Sequence, residues 1–263
     1  MSLFPGCSQR CLYCWRASSL DLGIDWDELH LVDPDEPEML LDLMIEEQRR
    51  ILSGYLGRKD IPRRMLEEAM TPVHLTPSLV GEPLIYGAER LSRLFSYAFQ
   101  RGFKTVFLVT NGTFPEELAR LDTEPSQLYI SVSAPDRYIH SKVCRPLLPD
   151  AWERLNKSLE LLESFKCPTV MRLTMVRKLN MLYPERYAKM IDKYNPTYVE
   201  VKAAMSLGYF LKRLPRELMP RHEEIKRFAA KLAELSGYKI IDESLHSRVV
   251  LLSRLDRPIR LYP

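Results

Sequence analysis

The sequence predicts an α/β fold: a partial TIM-like (β/α)6 barrel with additional strands at its C-terminal end. Three observations predict it. Apolar runs of strand length alternate with segments of helical period through at least five units. Alternation of that kind calls for parallel strands joined by right-handed crossovers, and five or more such units curve the sheet. Finally, three of the strands carry polar residues on one face near their C-terminal ends, where a barrel places its site.

The elements follow in order. Residues 37–56 read as a helix, with Pro37 in its first turn and Met39, Leu40, Leu43, Met44, Ile51 and Leu52 as its apolar stripe. Residues 73–77 read as a short strand. Residues 88–101 are helical, with Leu91, Leu94, Phe95 and Ala98 on one face and Gly102 as the stop. An apolar strand covers 105–110, a short helix starts at Pro115, and a strand covers 127–134. Asp150 is placed to cap a helix carrying Leu155, Leu159 and Leu162. A strand at 169–176, a helix at 184–194 and a strand at 197–203 come next. An amphipathic helix at 223–236 ends at Gly237, and strands at 238–242 and 248–253 close the pattern.

A length of 263 residues with 46% apolar and 28% charged residues suits one domain with a real core, read here as a single domain over 1–263. No apolar run approaches bilayer length, and no charged-then-apolar leader opens the chain. Five cysteines, an odd number, argue against a secreted disulfide framework, so the cytoplasm is the expected location. The formal net charge of +3 says little. Arg49, Arg50, Arg58, Lys59, Arg63 and Arg64 cluster, as do Lys212, Arg213, Arg216, Arg221, Lys226 and Arg227. Each cluster reads as a solvated helix face or as a contact to phosphates.

Cys7, Cys11 and Cys14 stand in the pattern C-x3-C-x2-C, with Tyr13 before the last. Clustering this tight favours metal binding over disulfides. A structural zinc site asks for four ligands, and no further C-x-x-C or H-x3-5-H pattern supplies them. Three thiolates on one short loop suit a [4Fe–4S] cluster with one iron left open to a chelating ligand. An incomplete zinc knuckle is the competing reading.

Residues two apart on a strand share a face. Ser131 pairs in this way with Ser133, Arg172 with Thr174, and Glu200 with Lys202, each opposite apolar neighbours. The pattern predicts a polar-lined cavity, or else buried ion pairs such as Glu200 or Lys202 with Arg172. Two loops fit the same end: Gly81-Glu82-Pro83, where glycine admits close backbone approach and Glu82 suits an ammonium, and Asn111-Gly112, a turn offering an amide.

The cysteine loop followed by a barrel resembles the radical S-adenosylmethionine (SAM) enzymes. That resemblance implies a [4Fe–4S] cluster on Cys7, Cys11 and Cys14 and SAM on its open iron. Gly81 and Glu82 would hold the SAM amino group, while Asn111, Ser131 or Ser133, Arg172 and Thr174 would hold its ribose and carboxylate. The match narrows over Cys11-Leu-Tyr-Cys14-Trp15-Arg16, Ser78-Leu-Val-Gly81-Glu82-Pro83, Leu108 to Pro115, Val199-Glu200-Val-Lys202-Ala, Met219 to Glu224 and His246 to Leu252. These segments resemble the 4-demethylwyosine synthases, which build a tricyclic base beside the anticodon of phenylalanine tRNA from N1-methylguanosine and pyruvate. The resemblance implies a lyase-type enzyme of wybutosine biosynthesis with tRNA and pyruvate as substrates, a reductant as electron donor, and a monomeric state.

Family members carry an upstream segment with three more cysteines for a second cluster, associated with pyruvate. A first strand is expected before the cysteine loop, but six residues precede Cys7, and Cys144 and Cys167 do not replace three ligands, so the chain is expected to be truncated at its start or its first strand to be vestigial. Lys202, inward beside Glu200, is then the candidate catalytic or substrate-contacting amine. Trp15 and Arg16 are candidates for stacking on SAM or an RNA base. His222 reads as a cap and His246 as a turn residue. Other radical SAM chemistry, or a metal-stabilised RNA-binding domain, are the alternative functions.

Overall fold

The computed structural model describes residues 1–262. Before the sheet come α1 (Ser19–Leu22), α2 (Pro37–Ser53) and α3 (Arg63–Met70). Then β1 (His74–Leu75), α4 (Ala88–Gln100), β2 (Thr105–Thr110), α5 (Pro115–Ala119) and β3 (Gln127–Ser131) follow. The second half runs α6 (Arg137–Cys144), α7 (Ala151–Glu160), β4 (Thr169–Met175), α8 (Pro184–Tyr194), β5 (Tyr198–Ala203), α9 (Phe210–Arg213), α10 (His222–Ser236), β6 (Lys239–Ser244) and β7 (Val249–Ser253). The seven strands form one sheet in the order β1-β2-β3-β4-β5-β7-β6. Strands β1 to β5 are parallel, and β7 runs antiparallel to both β5 and β6.

The partial barrel therefore has five parallel strands among the described residues, and antiparallel β7 takes the next place beside β5. The C-terminal additions are the β6–β7 pair, with the later strand inside. Most of β6 is exposed and carries Lys239, Asp242 and Glu243, charges that suit an outermost strand. Ahead of Cys7 the chain runs beside residues 76–82 through an isolated bridge between Ser2 and Ser78, with Met1 N donating to Thr76 O at 2.8 Å and Glu82 N to Gly6 O at 2.9 Å.

The core lies between the outer face of the sheet and the helices. Leu128, Ile130, Met171, Leu173, Val199 and Val201 are fully buried on that face. Helix α4 covers it with Leu91, Leu94, Phe95 and Ala98, the stripe its periodicity predicts. Tyr187 and Ile191 of α8 and Ile225, Ala229 and Leu232 of α10 extend the layer. Each Leu in such a core stabilises the fold by about 2 kcal/mol through burial alone.

Some elements differ from the sequence reading. Helix α2 stops at Ser53, the strand expected at 73–77 shortens to two residues, and α3 and α6 were not foreseen. Asp136 caps α6 by accepting from Ile139 N at 2.9 Å. Asp150 makes no side-chain cap, because its carboxylate accepts from Arg154 Nε at 2.9 Å instead. At the far end of the chain, Ile259 N donates to the Tyr198 hydroxyl at 2.7 Å, and the Tyr262 ring stands 5.4 Å from the His74 ring. Among the described residues no helix is long and apolar enough to cross a membrane.

Candidate active site

The cysteine loop is held from three directions. On one side Arg10 N donates to Arg145 O at 3.2 Å and Leu12 N to Val143 O at 2.9 Å. On the second, Gly81 sits at φ +75, and a Cβ there would fall 2.1 Å from Phe4 O and 2.5 Å from Gly6 O. Its glycine is thus needed for close approach to the segment leading into Cys7. On the third, Arg213 donates from Nη1 to Cys11 O at 3.2 Å and Cys14 O at 2.8 Å, and from Nη2 to Arg16 O at 2.8 Å. The same guanidinium pairs with Asp21, and both side chains are mostly buried.

The loop closes over a cavity of about 490 Å³ at the C-terminal ends of the parallel strands. Cys7, Cys11 and Cys14 line it from the loop, and Ser131, Arg172, Thr174 and Lys202 from β3, β4 and β5. Strand register explains this grouping. Ser131 stands opposite Arg172, which stands opposite Glu200, and Thr174 stands opposite Lys202 one step nearer the strand ends. The alternate residues point into the core, so the pleat separates a polar cavity face from an apolar helix face.

Within the cavity, Arg172 Nε lies 2.8 Å from Glu200 Oε1 and Nη2 donates to Oε2 at 3.1 Å. Its guanidinium carbon also stands 4.3 Å from the Tyr129 ring centroid. Of the pairings expected from sequence, Arg172 with Glu200 forms alongside the cavity, whereas Lys202 and Arg172, two cations, repel. Among the described residues Lys202 has no hydrogen-bonded or ionic side-chain partner of its own, while Arg172 and Glu200 stand near it. Burial pushes its amine below the usual lysine range, Arg172 adds to that, and Glu200 opposes it.

Three expected site residues lie one layer behind the lining. Glu82 is buried and accepts from Leu84 N at 3.1 Å, Thr110 Oγ1 at 2.6 Å and Asn111 N at 2.8 Å. Burial nevertheless pushes its carboxyl up to about 7. Asn111 donates to Ser8 Oγ at 2.9 Å and reaches Cys7 Sγ at 3.6 Å. Ser133 accepts from the Tyr13 hydroxyl at 2.7 Å. Each supports the cysteine loop or the strand beneath it. Trp15 is 45% exposed near the rim, with the Arg16 guanidinium 3.6 Å from its ring centroid. His222 is buried and pairs with Glu243 at 3.0 Å, and His246 is exposed in the β6–β7 turn, both away from the cavity.

Two further residues emerge from the geometry. Arg213 belonged in sequence to a basic cluster, yet its side chain is only 10% exposed and organises the loop. Gln9 joins Cys11, whose thiol donates to Gln9 Oε1 at 3.3 Å, to His140, whose Nε2 is 3.2 Å from Gln9 Nε2. Neither spacing nor periodicity marks these positions. Arginines 50, 58, 63 and 64, in contrast, are exposed and paired with nearby carboxylates, the solvated-face reading of their cluster.

The donor set suits an iron–sulfur cluster: a structural zinc takes four ligands, whereas this loop brings three cysteines to the cavity, and a cluster binds each cysteine to a different iron. All three thiols are pushed up: Cys7 and Cys14 foremost by burial, Cys11 foremost by a hydrogen bond with Cys144. The loop thus holds neutral thiols until a cation draws off their protons.

Comparison with known proteins gives this barrel and its three-thiol cavity a class. The model of the radical SAM superfamily matches residues 1–191, and that of wyosine base formation matches residues 193–254. An S-adenosyl-L-methionine-dependent tRNA 4-demethylwyosine synthase of Pyrococcus abyssi is 42% identical over 95% of this chain and 72% of its own length. The synthase of Methanocaldococcus jannaschii is 34% identical over 96% of this chain and 79% of its own. A solved structure of TYW1 with a lysine–pyruvate adduct bound superposes with a TM-score of 0.82 at 31% identity, over 99% of this chain and 81% of that one. This chain belongs to the family of S-adenosyl-L-methionine-dependent tRNA 4-demethylwyosine synthases within the radical SAM superfamily.

Proposed function

We propose that this chain is a tRNA-modifying enzyme that joins N1-methylguanosine in phenylalanine tRNA to pyruvate, giving 4-demethylwyosine. The observation that carries the reading is that three thiols from one loop share a cavity with Arg172, Thr174 and Lys202 from adjacent strand ends. Its cofactors are a [4Fe–4S] cluster and SAM, which together supply one-electron abstraction of a hydrogen atom.

The chain's own residues do the rest. Cys7, Cys11 and Cys14 would hold the cluster, and Gly81, Ser131, Arg172 and Thr174 would hold SAM, an arginine suiting its carboxylate. Glu82, Asn111 and Ser133 fix the loop and strand that present those groups. Lys202, the lysine lining the cavity among the described residues, is the amine we assign to the reaction. Unpaired and low in pKa, it meets pyruvate at the carboxylate as an ammonium or at the ketone as a free amine. Trp15 and Arg16 offer a flat stacking surface for a base turned out of the anticodon loop. A cytoplasmic monomer served by a small electron donor completes the proposal.

Anaerobic reconstitution tests it. The expected result is about four irons per chain, SAM cleavage under dithionite, and 4-demethylwyosine formed in N1-methylguanosine tRNA only when pyruvate is present. Stoichiometric zinc without SAM cleavage would mean a metal-stabilised RNA-binding domain, and SAM cleavage without the tricyclic base would mean a different radical reaction. Borohydride added with pyruvate separates the two roles of Lys202, since only a condensed amine is trapped as a stable adduct.

A further inference from the structure

Cys144 takes no part in the functions above, yet it lies against one of the three cluster cysteines. It is the last residue of α6 and is 2% exposed. The backbone contacts around it set a register. Arg10 N donates to Arg145 O, Leu12 N donates to Val143 O, and Leu147 N donates to Ser8 O at 2.8 Å. Gln9 and Pro146 form an antiparallel bridge in the same run. Both chain neighbours of Cys11 are thus bonded to both chain neighbours of Cys144, which brackets the two thiols side by side.

We propose that Cys11 and Cys144 form a disulfide in the cluster-free chain, making this pair a thiol-oxidation site that governs whether the loop can take up iron. The proposal rests on the reading of Cys11 as a cluster ligand. The two thiols are not equivalent. Cys11 lines the cavity, and Cys144 is behind it, out of reach of solvent. A low-molecular-weight disulfide entering the cavity thus meets Cys11 first. The minor fraction of Cys11 that has given up its proton attacks one sulfur of that disulfide and expels a thiolate, which takes up that proton. Cys144 then attacks the Cys11 sulfur of the mixed disulfide and expels the second thiolate. Two protein thiols are oxidised, the small disulfide is reduced to two thiols, and the two protein protons leave with them. Iron bound at Cys11 blocks the first attack, so the reaction belongs to the empty loop.

The competing pairs are inside the loop itself. Cys14 N donates to Cys11 O at 3.0 Å, a tight turn that brings the two residues near one another. The test distinguishes them. Cluster-free and reconstituted chains are incubated anaerobically with oxidised glutathione, alkylated, digested without reductant and mapped by mass spectrometry. The expected product in the cluster-free chain is a peptide pair cross-linked through Cys11 and Cys144, with iron uptake lost until dithiothreitol is added, while the reconstituted chain resists. In Cys144→Ser, glutathione is expected to remain attached at Cys11, for want of the resolving thiol. A cross-link from Cys11 to Cys14 or Cys7, a persistent glutathione adduct on Cys11 in the native chain, or no oxidation at all overturns the proposal. A chain that shows the cross-link but takes up no iron after reduction overturns the cluster reading and leaves the disulfide standing.

Discussion

Arg172 and Glu200 stand opposite each other on β4 and β5 and are joined across the sheet, with Arg172 Nε 2.8 Å from Glu200 Oε1. One consequence is that, among the described residues, the nearby Lys202 is left without a carboxylate of its own. Glu200→Gln should free Arg172 as an unpaired, largely buried cation at a cost of about 2 kcal/mol, less than a fully buried pair because both groups keep some solvent. It should also lower the Lys202 amine further, since Glu200 is the group that raises it. Urea denaturation measures the first effect. The second appears as faster modification of Lys202 by an amine-selective acylating reagent at fixed pH. Lys202→Ala should abolish product formation while leaving iron content intact.

Arg213 clasps the cysteine loop through three carbonyl oxygens and Asp21. Arg213→Ala should reduce iron retention and destabilise the chain by about 3 kcal/mol, the scale of removing one partner of a buried pair. Arg213→Lys should rescue little, because one ammonium does not reproduce a planar fork. Arg213 holds the Asp21 carboxyl well below the usual carboxylate range. The pair's contribution is therefore present above about pH 4, the unfolded carboxylate pKa, and is lost as pH falls through the lowered value. An acid melt of native and Arg213→Ala chains should differ least at the most acidic points.

Glu82 titrates in the opposite sense. Burial raises its carboxyl to about 7, so the fold favours the protonated form. The cluster-free chain should lose stability at this residue as pH rises from about 4.5 to 7, with the full cost above 7. Glu82→Gln should flatten the thermal melting temperature over that window. It should also lower it overall, because an amide nitrogen facing Asn111 N cannot accept the bond that Glu82 Oε2 accepts at 2.8 Å. A melting temperature equally pH-dependent in both chains would count against the assignment.

Gln9 bridges Cys11 and His140. A thiolate ligand cannot donate, so on metal binding the amide must turn its N–H to the sulfur, and hydrogen bonds to cluster sulfurs raise the reduction potential. Gln9→Leu should keep the iron content and shift the midpoint potential downward in a spectroscopic redox titration. Burial pushes His140 down to about 4, so it stays neutral near pH 7 and can accept from the Gln9 amide while Cys11 is a thiol, then donate to the amide oxygen through its other tautomer once the amide has turned.

Much of the site was readable from local rules. The alternation of Arg172 and Thr174 with buried Met171, Leu173 and Met175 needs only the two-residue period of a strand. The cysteine spacing needed only the chemistry of thiolates. The roles of Arg213, Gln9 and Cys144 were not readable, because each depends on a partner brought near by the fold: Arg213 and Cys14 are separated by 199 positions. The nesting of β7 inside β6 escaped for a related reason. Pairing order in an antiparallel addition is set by which strand carries the apolar face, and Val250 and Leu252 are buried while β6 is mostly exposed. Helix α6 did carry a sign in Asp136 at its N-cap, but it lies between a strand and a loop with no long apolar stripe.

The distance along the chain between Cys14 and Arg213 also has a temporal meaning. Synthesis proceeds at about 5–20 residues per second, so the 199 positions between them correspond to a wait of about 10–40 s. Throughout that interval the three thiols exist on a nascent segment whose clasp has not been made. Cells that supply iron slowly, or soft metals readily, therefore compete for the loop before there is a cavity to discriminate between them.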